Sequence, residues 1–203
     1  MEALLLVRHA LSGSNRDGTA SCTVPGEGLT PEGVEQALRL GELLAAEKIE
    51  LGAATELVRT QETLELALAG RGVPRLVVPE LDEIDFGSFD GGPLEAYRAW
   101  AAAEAPTALA PGGGESRAAA AARFARGLRL LLARPEETVL VVGHALATRY
   151  VLDAARGLAP APRLAPVEHA VAHRLSAGEA VAATQFLEEW SRAPRFRDPS
   201  NEG

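Results

Sequence analysis

The stretch "LLLVRHALSGSN" (residues 4–15) is an apolar run that ends abruptly at Arg8-His9 and then enters a loop rich in Gly and Ser. Residues 3–8 read as a buried strand, because a short continuous apolar run bounded by turn formers suits a core strand. A strand that leaves the core on two cation-capable side chains has a plain explanation, since chains often exit at polar residues. It has a chemical one if a second segment brings a matching group to the same place. "TVLVVGH" (138–144) is that segment, the clearest buried strand in the chain, and it ends on His144.

Around these two runs, strand and helix patterns alternate. Residues 10–29 form a Gly-containing loop, after which Thr30 reads as an N-cap with Pro31 at the first helical position and Glu32 in the first turn. That helix continues through "GVEQALRLGELLAAEK". "IELGAAT" (49–55) reads as a strand, "ELVRTQETLELALAG" (56–70) as an amphipathic helix closed by Gly70, and "RLVVPE" as a short strand. "DFGSFDGG" is a turn-rich connector, and residues 92–104, 115–133 and 145–157 read as helices. In "VEHAVAHRLSAGEAVAATQFL" the alternation, with a turn at Ser176–Gly178, predicts a hairpin at the sheet edge. The tail, 191–203, reads as loosely attached. Strands alternating with helices imply an α/β fold, a three-layer α/β/α sandwich with a mostly parallel sheet. Ligands of such sheets sit beyond the carboxyl ends of the strands. Parallel neighbouring strands would therefore carry His9 and His144 to one rim.

The composition bounds the function. With 203 residues, 47% hydrophobic and 24% charged, the chain fits one substantial globular domain. Its net charge of −8 argues against nucleic acid or an anionic membrane as the main partner. No apolar stretch is long enough to cross a bilayer, and "MEALLLVRHA" lacks the basic start of a secretory signal. The single cysteine, Cys22, implies neither a disulfide framework nor a thiolate metal cluster, and with the missing signal it leads to an expectation of cytoplasmic location. Only Lys48 among the 20 basic residues is a lysine, so a P-loop is absent.

The motifs "VRHALSGSN", "LTPEGVEQA", "TELVRTQET", "LDEIDFGSFDG", "GGES" and "VVGHA" run in the order and rough spacing of the histidine phosphatase superfamily. The chain resembles this phosphoglycerate mutase-like, or branch 1, group over about residues 3–150. The resemblance implies a single domain of phosphoglycerate mutase-like fold over residues 1–190, with a lid region at about 84–114. It implies a phosphomonoester hydrolase that works through a phosphohistidine, needs no metal or other cofactor, and takes a small phosphorylated metabolite. His9 stands at the nucleophile position, where a neutral imidazole can attack without first losing a proton from the attacking nitrogen. Arg8, Arg59 and His144 match the phosphate pocket, whose cations would stabilise charge spread over the transferring phosphoryl oxygens. Asn15 matches a phosphate-contacting Asn. Glu83 matches the general acid, with Asp85 the alternative because strand-like alternation would point both the same way. Ser116 reads as a structural helix cap, and His169 and His173 as structural histidines.

The chain departs from the family after the nucleophile, where the usual Gly-Glu is Ala10-Leu11. Ala10 disfavours the positive φ that Gly permits, and Leu11 removes an acidic charge, so substrate identity stays open. Two other functions remain in view. A phosphoglycerate-type mutase would need extra cations around its substrate, yet residues 84–122 carry only Arg98 and Arg117, beside Leu94, Tyr97, Trp100 and many alanines. A non-catalytic phosphate-binding module would have no need of His9 and Glu83 together.

Overall fold

The computed structural model of the protein describes residues 1–198. Five strands make one sheet: β1 (Ala3–Arg8), β2 (Leu51–Ala54), β3 (Arg75–Val77), β4 (Thr138–Gly143) and β5 (Ala172–Ser176), in the order β3-β2-β4-β1-β5. All neighbours are parallel except β5, which runs antiparallel to β1. The helices are α1 (Gly13–Arg16), α2 (Pro31–Leu43), α3 (Val58–Ala67), α4 (Leu94–Ala103), α5 (Arg117–Leu132), α6 (Ala145–Ala154) and α7 (Ala177–Arg192).

Alternation along the central strands builds both faces of the sandwich. Leu4, Leu6, Val139 and Val141 join a core that holds Phe124 and Leu128 of α5, Tyr150 of α6 and Leu187 of α7. Leu5, Val7, Leu140 and Val142 join a second core with Ala37 and Leu40 of α2 and Leu64 of α3. A parallel sheet covered on both sides needs such continuous apolar runs, and each fully buried Val or Leu contributes roughly 1.5–3 kcal/mol. Among the described residues no helix is long and apolar enough to cross a membrane.

One expectation is corrected. The predicted hairpin has only its first arm: β5 ends at Ser176 and the chain turns directly into α7. Ser176 caps that helix, its Oγ accepting from the Glu179 N–H while the Glu179 carboxylate accepts from the Ser176 N–H. This reciprocal capping box starts a helix where Ser-Ala-Gly had looked like a strand turn. Of the tail, 191–203, expected to be loosely attached, residues up to 198 are described. Trp190 Nε1 donates to the Arg195 carbonyl (2.8 Å), Arg197 N to the Pro160 carbonyl (3.0 Å), and Phe196 lies against Trp190. Residues 199–203 lie outside the described residues.

Candidate active site

The register of β1 on β4 sets the site. Arg8 pairs with Gly143, so the residue after each strand end, His9 and His144, emerges at the same edge. His9 N donates to the Gly143 carbonyl (2.9 Å), and the two rings meet edge-on with centroids 5.3 Å apart. Both side chains are buried. Arg59, in the first turn of α3, is buried between them. Its Nε donates to His9 Nε2 (3.1 Å) and its Nη2 approaches His144 Nδ1 (3.4 Å) while donating to the Ser21 carbonyl (2.8 Å).

Hydrogen-bond direction decides the tautomers. His9 Nδ1 lies 2.7 Å from the Ala10 carbonyl, which can only accept, so Nδ1 carries the proton and Nε2 presents its lone pair to Arg59. Burial, then the nearby Arg59 and Arg8, hold the His9 and His144 imidazoles well below their ordinary pKa, so both are neutral at neutral pH. Arg8 closes the rim, its Nη1 donating to the Val167 carbonyl (2.7 Å), with burial lowering its pKa to about 10. Arg8 Nε and Arg59 Nη1 are buried without an acceptor among the described residues. Two buried guanidinium N–H donors left open beside two imidazoles describe an anion site.

Glu83 lines the same cavity, of about 490 Å³, with its Oε2 3.8 Å from His144 Nδ1 and its Oε1 accepting from the Ile84 N–H (3.1 Å). Burial raises its pKa, against the lowering pull of Arg59. Asp85, expected to share its direction, does not: it is exposed, and its Oδ1 accepts from the Gly87 N–H (2.8 Å). Residues 82–86 are irregular rather than extended, and Gly87 has φ +57°, so the alternation assumed for a strand does not hold. Asn15 also lines the cavity; its Oδ1 accepts from Ser12 in a capping box, leaving the amide NH₂ as the group able to meet an anion. The remaining wall includes Leu94, Tyr97, Arg98, Arg117, Leu146 and Arg163. Tyr97 is wedged between Phe86, Phe89 and Trp100.

Other residues enter that sequence reasoning missed. Thr63 Oγ1 accepts from the Ala10 N–H (3.0 Å) and donates to the Arg59 carbonyl (2.7 Å), tying the loop after His9 to α3. Thr55 Oγ1 pairs with His144 Nε2 (3.0 Å). His169, read as merely structural, donates from Nδ1 to the His9 carbonyl (2.7 Å), while Ala170 N donates to the Arg8 carbonyl (2.9 Å). The signal for the threonines was present, since three polar β-branched residues in "TELVRTQET" suit burial with backbone partners rather than an exposed helix face. Ala10 keeps a negative φ, so its replacement of Gly imposes no strain. Ser116 is the expected cap, accepting from the Ala119 N–H at 3.1 Å. Cys22 is part-buried, and burial pushes its thiol up to about 12, far from nucleophilic use.

The chain matches the histidine phosphatase superfamily (branch 1) over residues 4–180. It belongs to that family. Adenosylcobalamin/alpha-ribazole phosphatases are similar to part of this chain. The protein of Escherichia coli (strain K12) is 39% identical over 87 residues, 43% of this chain and 42% of the relative. That of Salmonella typhimurium is 35% identical over 105 residues, 48% and 52%. The matched segments thus span about half the length of these curated relatives. Among solved structures, the alpha-ribazole phosphatase from Shigella flexneri is 27% identical, with a TM-score of 0.72 over 85% of this chain and 89% of that one.

Proposed function

We propose that this histidine phosphatase is a cytoplasmic phosphomonoester hydrolase that works through a phosphohistidine on His9, with residues 1–190 as its domain and 84–114 as its lid. The observation that carries the reading is the neutral His9, whose Nε2 lone pair lies 3.1 Å from Arg59 Nε in a site with two open guanidinium donors. When a phosphate monoester enters, Arg8, Arg59 and Asn15 donate to its non-bridging oxygens, and His144 Nδ1 accepts from the protonated oxygen of the ester monoanion. His9 Nε2 attacks phosphorus, the bond to the alcohol oxygen breaks, and Glu83 gives that oxygen its proton. The phosphoryl group rests on Nε2. Water then attacks phosphorus while the Glu83 carboxylate accepts a proton, and departure of phosphate restores the Nε2 lone pair. Every group returns to its starting state.

The cavity favours hydrolysis over a mutase reaction. Of the three further arginines in its wall, Arg98 lies 3.6 Å from Glu95, and Arg117 donates to Tyr150 Oη (2.6 Å) and the Ala161 carbonyl (3.2 Å). A second phosphoryl group would find only Arg163 uncommitted by these pairs. The volume suits an alcohol half considerably larger than the phosphoryl group, with an apolar side. Given the names of the similar proteins, alpha-ribazole phosphate is the first ester to try.

The test is phosphate release from p-nitrophenyl phosphate, alpha-ribazole phosphate and a panel of phosphorylated metabolites, for wild type and His9→Ala. Turnover that the variant loses by about 1000-fold or more, with an acid-labile phosphoryl group trapped on His9, is the expected result. A wild type inert toward every ester would overturn the assignment.

A further inference from the structure

His144 touches the protein through one nitrogen and the anion site through the other, and the hydrogen-bond directions behind it form a closed sequence. Arg59 can only donate, so His144 Nδ1, 3.4 Å from Arg59 Nη2, is the acceptor in the neutral ring. The proton is then on Nε2 and is donated to Thr55 Oγ1 (3.0 Å). Thr55 Oγ1 also accepts from the Leu57 N–H (3.4 Å), so its own proton goes to Thr60 Oγ1 (2.9 Å). Thr60 Oγ1 accepts from the Thr55 N–H (3.1 Å) and donates to the Leu57 carbonyl (2.8 Å), which cannot donate back. Thr55, Thr60 and His144 are each fully buried, so no water competes for these bonds. A carbonyl at the end of the relay thereby sets the direction of every hydroxyl up to the imidazole.

We propose that Thr55, backed by Thr60, is a positioning residue for His144: it ties off the Nε2 proton and keeps Nδ1 turned to the anion site. The nitrogen free to share a proton is then the one that faces substrate. Around that nitrogen stand Arg59 from α3, Glu83 Oε2 at 3.8 Å from the connector, and the His9 ring from the end of β1. Arg8 and Arg123 act on it at longer range. A ring free to flip or change tautomer would present Nε2–H or a proton on Nδ1 to Arg59, opposing a donor with a donor. The inference rests on the phosphatase reading for its kinetic consequence, but the tautomer itself is independent of turnover.

The experiment compares wild type with Thr55→Val, which keeps shape and loses the hydroxyl, Thr55→Ser, which keeps it, and Thr60→Val. Imidazole ¹⁵N shifts of the free protein are expected to give His144 as a single Nε2–H form in wild type and Thr55→Ser. In Thr55→Val and Thr60→Val the expected result is a mixture or reversal. In parallel, kcat on p-nitrophenyl phosphate is expected to fall about 10-fold in Thr55→Val, with recovery to within about 3-fold in Thr55→Ser. An unchanged Nε2–H signal in both valine variants would overturn the proposal, as would equal kinetic losses in Thr55→Val and Thr55→Ser. If wild type proves inert, the phosphatase reading fails while the ¹⁵N result still decides the role of Thr55.

Discussion

At the scale of single residues, the proposed reaction needs an acid and a base, and the site's surroundings push His9 and Glu83 in opposite directions. In the proposed reaction His9 must be neutral to attack, and its lowered pKa keeps it so to well below the ordinary 6.5. In the same proposed reaction Glu83 must be protonated to help the alcohol leave, and its pKa is raised above the ordinary 4.5. Activity is therefore expected to rise with pH as His9 loses its proton and to fall as Glu83 loses its own, a bell-shaped profile. A profile of kcat/KM from about pH 4 to 9 checks this. Glu83→Gln should remove the alkaline limb and cost about 100- to 10,000-fold on alkyl phosphates, but far less on p-nitrophenyl phosphate, whose leaving group needs little acid. A full-sized loss on both esters would contradict the role. Ala170 holds φ +54° to bring its N–H to the Arg8 carbonyl. Ala170→Gly should relieve about 1 kcal/mol of left-handed strain, partly offset by unfolded-chain entropy, and urea denaturation measures the balance. A drop in stability would show that the methyl packing outweighs the strain.

At the scale of elements, the start of α2 is what shapes the loop after the nucleophile. Thr30 N donates to the Leu11 carbonyl (3.0 Å), Gln36 Oε1 accepts from the Leu11 N–H (2.9 Å), and Gly33 lets the helix approach closely. A Cβ on Gly33 would stand 2.1 Å from the Leu11 carbonyl oxygen, a backbone atom with little room to move. Gly33→Ala is expected to destabilise by about 1–3 kcal/mol and to lower kcat by shifting the loop that carries Ala10. Unaltered melting and kinetics would show that the contact is slack. Ser176→Ala should cost about 1 kcal/mol by removing the cap of α7, measurable in the same denaturation series. This helix also marks where sequence reading fell short. "RLSAGEA" contains both a turn signal and a capping box, and local pattern alone could not rank them. Packing of Ala180, Ala183 and Leu187 into the first core chose the helix.

For the whole molecule, the arrangement that concentrates positive charge at one rim also sets its response to acid. Burial lowers the pKa of His9, His144 and His169, the last to about 4. Between those values and the unfolded value of about 6.5, the unfolded chain binds more protons than the folded one, so stability falls as pH drops through that window. Glu83, with its pKa raised, acts in the opposite sense: its cost is present above its folded pKa and vanishes below the unfolded one. Burial lowers His173 too and raises Asp82 to about 6, so four histidines against two carboxylates make the net expectation a lower Tm near pH 5 than near pH 7.5. His169→Asn, which keeps a donor for the His9 carbonyl but does not titrate, should flatten the dependence. Calorimetry at the two pH values decides it, and a Tm that rises on acidification would refute the account.

The amino-acid sequence by itself determined the two buried parallel strands, the helices that cover them and the convergence of His9 and His144. Those features follow from hydrophobic period, caps and strand ends, which are local and survive without a partner. Only the tertiary structure decided which carboxylate faces the site, which way each imidazole carries its proton, and that Thr55, Thr63 and His169 hydrogen-bond to His144 and the His9–Ala10 backbone. Each of these depends on hydrogen bonds between residues far apart in the chain. Their direction is settled by burial and by partners that can only donate or only accept, and no local pattern records that.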